Sequence, residues 1–440
     1  MKIALLNMRV CGFKNIDTPI DIQFANKTID KSIFTKPHVK AIYGTNGMGK
    51  SAIVFAMNTY YNTVLDPTFL PFESARGDLG DMINKKIKKA FVDLYFAVQS
   101  DKGNYNIIHH YISYSLKDKE VIIDKEQLSI VKGDTWGNIN NEDNVFITSN
   151  NKIDHIHDGV SQKLNDTIID KTKNLISSSS VLVLCLSGSD SYDPNNKNDT
   201  IFNNAIYCAL VFVLGLNIFI DEKDSHRISA TKVKLINESS NKEWGFLRKE
   251  FVIDDEIDEI DAKDLEKYKV QMKKICKFIQ IFKPNLNDIE IDDRPTQSGR
   301  LRCKKTFVYD NDVRIDSKYE SSGIKKLIKL YPVLNSTENG GITFIDEFDS
   351  NIHDVYLCKL VEYFVTYGNG QLIFTTHNLG PMEVLANTDE KHSIDFINNS
   401  KISHWIRNGN YSVVNVYRSG LIKNCPFNID SADFTKTFGE

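Results

Sequence analysis

The run Gly44-Thr45-Asn46-Gly47-Met48-Gly49-Lys50-Ser51 spaces its residues as G-x-x-x-x-G-K-[ST]. Glycines in such a run let the backbone curl until its N–H groups converge on phosphate oxygens. A helix opening directly behind them adds the positive end of its dipole. Lys50 is then placed to reach the β- and γ-phosphates, and Ser51 to hold Mg²⁺ through its hydroxyl. All eight residues are candidate ligands of ATP.

Three later runs have residue types that suit the same chemistry. Gly341-Ile342-Thr343-Phe344-Ile345 is an apolar strand that ends in Asp346-Glu347. Asp346 is a candidate Mg²⁺ ligand through water, and Glu347 a candidate general base for the attacking water. Gln371-Leu372-Ile373-Phe374-Thr375-Thr376 is a second buried strand, and it delivers His377 toward the γ-phosphate or the water. Glu320-Ser321-Ser322-Gly323 stands before an apolar helix. Small hydroxyl and glycine residues there make a second anion site, or a plain helix cap. His109-His110 and Asp154-His155-Ile156-His157-Asp158 lack the cysteines or helical spacing of a metal site and read as surface histidines. Ser177–Ser180 reads as a loop or cap, and Ser187-Gly188-Ser189 lacks the context of a nucleophilic serine.

These residues need a parallel sheet to hold them. Strands are expected at Met1–Val10, Ile20–Phe24 and Val39–Tyr43, the last leading into the glycine run, with a helix over Ser51–Val64. Ala90–Gln99 and Tyr105–Leu116 flank Asp101-Lys102-Gly103-Asn104, a hairpin turn, and Val121–Ile123 with Gln127–Val131 extends that antiparallel layer. Ala205–Ile220 is too short and interrupted for a membrane span and reads as a buried helix. A helix with apolar residues at Leu265, Tyr268, Met272, Ile275, Ile279 and Phe282 ends before Pro284. Strands and helices then alternate: Ile342–Ile345, a helix near Val355–Val365, and Gln371–Thr375. The sheet begun near the N-terminus is thus completed near the C-terminus. The expected division is 1–135, the N-terminal part of an ATPase head; 136–288, a helical or mixed insertion; and 289–440, the C-terminal part.

The chain has 440 residues, 41% hydrophobic and 25% charged, with a formal net charge of −4. Such a composition excludes wholesale disorder and argues against a protein that coats nucleic acid by charge alone. Seven scattered cysteines with no C-x-x-C form no disulfide framework or zinc site. No cleavable leader is expected at the N-terminus, and the expected setting is the cytoplasm, without a membrane.

The order of the four motifs resembles the ABC-type ATPases, in the branch with the SMC and RecF proteins. The expected fold class is therefore α/β: an ABC-type P-loop ATPase head with an antiparallel β layer and a helical insertion. Within that superfamily the chain resembles the AAA15, or OLD-like, bacterial ATPases. The likeness lies in Phe13-Lys14-Asn15-Ile16, Glu320-Ser321-Ser322-Gly323, Ile345 through His353, Tyr417-Arg418-Ser419-Gly420 and Pro426. It implies Lys14 and Asn15 as further nucleotide-binding residues. It also implies a head-to-tail homo-oligomer in which Ser321, Ser322 and Gly323 of one subunit contact ATP held by another. Asn351 and His353 would lie in the loop facing the second subunit. Ile324 departs from the usual Glu or Gln of the signature. The absence of long heptads argues against coiled-coil arms, and with 63 residues after His377 no Toprim nuclease is expected.

The expected function is an ATPase that acts as a nucleotide-gated sensor or scaffold. It would control a separate effector, a nuclease or toxin, in a bacterial anti-phage system of the PARIS or Septu kind. An ATP-gated DNA-binding protein resembling RecF is the alternative, with nucleic acid as a possible partner. A third reading is a scaffold that binds ATP without useful turnover.

Overall fold

The computed structural model describes residues 1–76, 78–185, 191–220, 251, 253–254, 256–388, 392–406 and 412–423. Pro426 and the run 187–189 lie outside them.

Alternating apolar residues build a seven-stranded antiparallel sheet from β1 (Lys2–Cys11), β2 (Ile20–Gln23), β4 (Lys89–Gln99), β5 (Tyr105–Lys117), β6 (Glu120–Val131), β7 (Glu142–Ser149) and β8 (Lys152–Ile156). The expected hairpin turn between β4 and β5 is present, with Gly103 at φ +83°. The two short strands expected at 121–131 are one, β6. A six-stranded sheet is assembled from β3 (His38–Tyr43), β9 (Leu216–Phe219), β14 (Ile342–Ile345), β15 (Gln371–Thr375), β16 (Ile394–Asn398) and β17 (Lys401–His404). Its order is β17-β16-β3-β15-β14-β9, all parallel except β17. A smaller antiparallel sheet holds β10 (Ile257–Asp261), β11 (Leu286–Pro295), β12 (Arg300–Tyr309) and β13 (Val313–Asp316). The α/β class with an antiparallel layer is as expected.

The helices among the described residues are α1 (Lys50–Leu65), α2 (Phe69–Arg76), α3 (Asp78–Met82), α4 (Gln162–Thr172), α5 (Val181–Cys185), α6 (Lys197–Leu214), α7 (Leu265–Phe282), α8 (Ser322–Glu338), α9 (Asp354–Tyr367), α10 (Gly380–Ala386) and α11 (Val413–Arg418). None is long and apolar enough to cross a membrane.

Helix α1 lies between the antiparallel and central sheets and is buried nearly all round, through Ile53, Val54, Met57, Tyr60 and Val64 among others. An amphipathic stripe would not suffice there, because both faces meet a sheet. Helix α6 shares that layer, and Phe212 stacks on Phe96 of β4 at 3.9 Å. The other face of the central sheet is covered by a second core to which α7 through α11 contribute. On α7, Tyr268, Met272, Ile275 and Ile279 are buried as the spacing predicts, while Val270 and Ile281 face solvent. The two sheets are also joined by one side chain. Leu5 donates its N–H to Gln371 Oε1 at 2.6 Å, and Gln371 Nε2 donates to Leu5 O at 3.0 Å.

The described strands within 136–288 belong to sheets whose other strands come from outside it. β7 and β8 extend the antiparallel sheet, β9 is an edge strand of the central sheet, and residue 288 falls inside β11.

His109 and His110 are not surface residues; they are 7% and 0% exposed. Neighbours on a strand point to opposite faces, and both faces of β5 are covered. His110 meets the Tyr60 hydroxyl at 2.8 Å and Glu126 at 3.1 Å, and Glu126 also accepts from Ser180 Oγ and Val181 N. That network ties α1 to β5, β6 and the start of α5. His109 sits between Asp93 and Glu142, 2.7 Å from each, with Tyr95 stacked on it. Burial disfavours its charged form, but the two carboxylates outweigh this and raise it from 6.5 to about 9. The folded value exceeds the unfolded one, so this stabilisation is complete below about pH 6.5 and fades as pH rises toward 9. His109→Gln should remove on the order of 2 kcal/mol at pH 6.5 and little at pH 9.5. Melting curves across that range check it; equal losses at both ends would refute the charged bridge.

Candidate nucleotide site

Three parallel strands bring the site together. In register, Ile345 of β14 pairs with Phe374 of β15, and Thr375 of β15 pairs with Ile42 of β3. The residues that follow, Asp346, Thr376 and Gly44, therefore leave the sheet at one carboxyl edge, where open α/β sheets bind ligands.

Behind β3 the glycine run turns tightly into α1. Gly47 and Gly49 have φ of +77° and +105°, a region L side chains rarely adopt. A Cβ on Gly44 would lie 2.5 Å from Ile397 O. Gly49 caps α1 without a side chain, so the first N–H groups of the helix open toward the loop. Lys50 is 7% exposed, and its amine donates to Gly44 O at 2.7 Å and Thr45 O at 3.3 Å. Burial lowers its pKa, and the charges of Asp346, Glu347 and Asp349 offset part of that. Asn15 Nδ2 donates to Gly47 O. The side chain of Lys14 lies over the Phe55 ring of α1, with its backbone at φ +49°. Asn15 thus braces the phosphate loop, and Lys14 packs on the helix behind it.

After β14, Asp346 Oδ1 accepts the Thr375 hydroxyl at 2.6 Å, and the same oxygen of Thr375 accepts Glu347 N–H at 2.8 Å. One hydroxyl therefore orients both acids. Glu347 is exposed, at φ +46°, an uncommon conformation for a non-glycine residue. After β15, His377 donates its backbone N–H to Asp349 Oδ2 at 3.2 Å. Burial and the Lys50 charge hold the His377 imidazole below its ordinary value, against the pull of Asp349, Glu347 and Asp346. That favours the neutral ring, which can donate or accept. Thr375 and Asp349 were not legible as site residues; a hydroxyl closing a buried strand beside an acid-ended strand is the available signal.

Ser321 and Ser322 are exposed at the start of α8. Ser321 caps the helix, its hydroxyl accepting Ile324 N–H at 3.4 Å. Ser322 Oγ donates to Asn351 Oδ1 at 3.0 Å. His353 caps α9 by accepting Val355 N–H at 3.4 Å. Glu320 is buried and accepts the Tyr309 hydroxyl at 2.5 Å.

The residues fit a nucleoside triphosphate with Mg²⁺. Gly44 leaves no room for a Cβ, Gly47 and Gly49 hold a positive φ, the helix opens without a side-chain cap, a buried amine lines the loop, and hydroxyl and carboxylate oxygens from Ser51 and Asp346 supply hard ligands. Among the described residues, no His, Cys, Asp and Glu group makes a separate metal site. Lys50→Met should leave the melting temperature without nucleotide unchanged or higher, because a desolvated amine is removed. Its affinity for ATP should fall about 100-fold. Thermal shift with and without ATP-Mg²⁺ reads both; a full ATP shift in the variant would refute the role of Lys50.

Residues 219–383 match the profile of a family described as "AAA domain, putative AbiEii toxin, Type IV TA system". The match takes in Ser321 to Gly323, Asp346, Glu347 and His377 and leaves out the phosphate loop. No curated protein matches the chain. In structure the chain is similar to an SMC head bound to the C-winged helix domain of ScpA, with 13% identity, TM-score 0.43, and coverage of 92% of this chain and 98% of that one. It is also similar to the recombination mediator protein RecF with ATP, at 14% identity, TM-score 0.41, and coverage of 92% and 98%. An SMC head domain from Thermotoga maritima gives 14%, 0.34, and coverage of 92% and 99%. The matched residues share the central sheet with the glycine run at 44–51.

Proposed function

We propose that this protein binds and hydrolyses ATP and uses the cycle as a switch. The observation that carries this is the convergence of Lys50, Asp346, Glu347 and His377 at one edge of the central sheet. In this reading the loop from Gly44 to Ser51 cradles the phosphates, with Asn15 bracing it. Ser51 and Asp346 hold Mg²⁺, which offsets the phosphate charge. Glu347 takes the proton of the attacking water, and His377 hydrogen-bonds the γ-phosphate. Water adds to the γ-phosphorus, the bond to the β–γ bridging oxygen breaks, and ADP and phosphate leave.

Ser321 to Gly323 open α8 with exposed hydroxyls, and this supports a head-to-tail homo-oligomer in which they complete the site of a second copy. The finer role we propose is a cytoplasmic sensor or scaffold in anti-phage defence, governing a separate nuclease or toxin; an effector encoded beside this gene is what that role requires. The segment 136–288 is our proposed place for recognising the trigger. The same site residues serve equally well in an ATP-gated DNA-binding protein, and DNA retention that needs ATP and weakens steeply with salt would mark that alternative.

Glu347→Gln should bind ATP while its turnover falls by about 100-fold or more. Its mass by light scattering should then rise to that of a pair only with ATP-Mg²⁺. A monomer in both conditions would sink the paired site, and undiminished turnover would sink the role of Glu347.

A further inference from the structure

Lys326 stands one turn into α8 and is only 2% exposed. Its amine donates to Glu347 O at 2.7 Å and to Ser350 Oγ, with the Phe219 ring 6.0 Å away. Both acceptors belong to the turn that follows β14. That turn carries Glu347 at φ +46° and Asn351 at φ +58°, conformations that last only where surrounding contacts enforce them. Two further contacts grip the same turn from α8. Ser322 Oγ reaches Asn351 Oδ1 at 3.0 Å, and Gly323 lies so close to Asn351 O that a Cβ would sit 2.7 Å from it. From the opposite side, the Thr375 hydroxyl holds Glu347 N–H. The peptide groups flanking Glu347 are therefore fixed at both ends, one by β15 and one by α8.

We propose that Lys326 is a positioning residue that holds the Glu347 backbone in its left-handed turn and so couples the general base to the end of α8 that carries Ser321 to Gly323. This rests on the hydrolytic reading above. Its consequence is that a load on the exposed start of α8 is felt at the Glu347 carbonyl of the same chain through the buried amine of Lys326, alongside the Ser322 and Gly323 contacts to Asn351. A buried lysine carbon stem fills space whether or not its amine is bonded, so Lys326→Met keeps the packing and removes the donor.

The test uses the full chain in two arms. Without nucleotide, backbone amides of 347–352 in Lys326→Met should exchange with deuterium about tenfold faster than in the parent, while those of β14 and β15 stay unchanged. With ATP-Mg²⁺, kcat should fall about 30-fold while the affinity for a fluorescent ATP analogue stays within about twofold. Added to Glu347→Gln, the same substitution should lower the residual rate no further, as two residues acting through one group require. Lys326→Arg, which keeps a donor, should recover part of both readouts. If Lys326→Met does not fold, Ser350→Ala removes one of the two acceptors, with the same expectation at smaller size. Unchanged exchange in the 347–352 turn, or an equal loss of kcat in the parent and Glu347→Gln backgrounds, overturns the proposal. A parent that turns over no ATP refutes the hydrolytic reading instead, and the exchange arm still decides whether Lys326 holds the turn.

Discussion

Parallel strands share one direction, so whatever follows them emerges on the same side of the sheet. β3, β15 and β14 are adjacent and in register, and each ends within a residue of its neighbour. That alignment is why a lysine at 50, acids at 346, 347 and 349 and a histidine at 377 feel one another's charge. Shift any one strand by a residue pair and a carboxylate moves by roughly 7 Å, beyond the reach of a shared metal ion or phosphate. The Thr375 hydroxyl refines this coarse alignment, since it contacts the side chain of Asp346 and the backbone of Glu347 together.

The second determinant is the position of α1. A helix pressed between two sheets has no free face, so the loop at its N-terminus is fixed by contacts along its whole length. Tyr60, a few turns from Lys50, reaches His110 and through it the fully buried Glu126, whose remaining partners are Ser180 and the N–H of Val181. A buried carboxylate is tolerated only when its oxygens are satisfied, and here they are. The glycine loop at 44–51 is thereby attached to the middle of the antiparallel layer.

What could be read from sequence follows from how local each constraint is. The glycine run, the acid-ended strand and the strand before His377 are set by backbone geometry within a few residues, and the structure brings their side chains to one edge. Ile53, Met57 and Tyr60 were visible as a helical pattern, and Tyr268, Met272 and Ile279 as a buried stripe. His109 and His110 were misread because polarity alone cannot tell a solvated pair from one whose partners, Asp93, Glu126 and Glu142, arrive from other strands. Lys326 was hidden for the same reason: its acceptors are more than twenty residues away in the chain. β7 and β8 were not legible as strands because their mixed polarity resembles a loop.

The central sheet takes its strands from residues 38–43, 216–219, 342–345, 371–375 and 394–398 before β17 closes it. During synthesis the strands on either side of β3, at 371–375 and 394–398, appear more than 300 residues after it. At about 5 to 20 residues per second, the interval is roughly 20 to 70 seconds. Throughout it, β3 has both edges unpaired and α1 has only the antiparallel layer to lie against, so the nascent chain exposes apolar strand edges of the kind chaperones bind. The candidate nucleotide site is therefore complete only after residue 398 has been made.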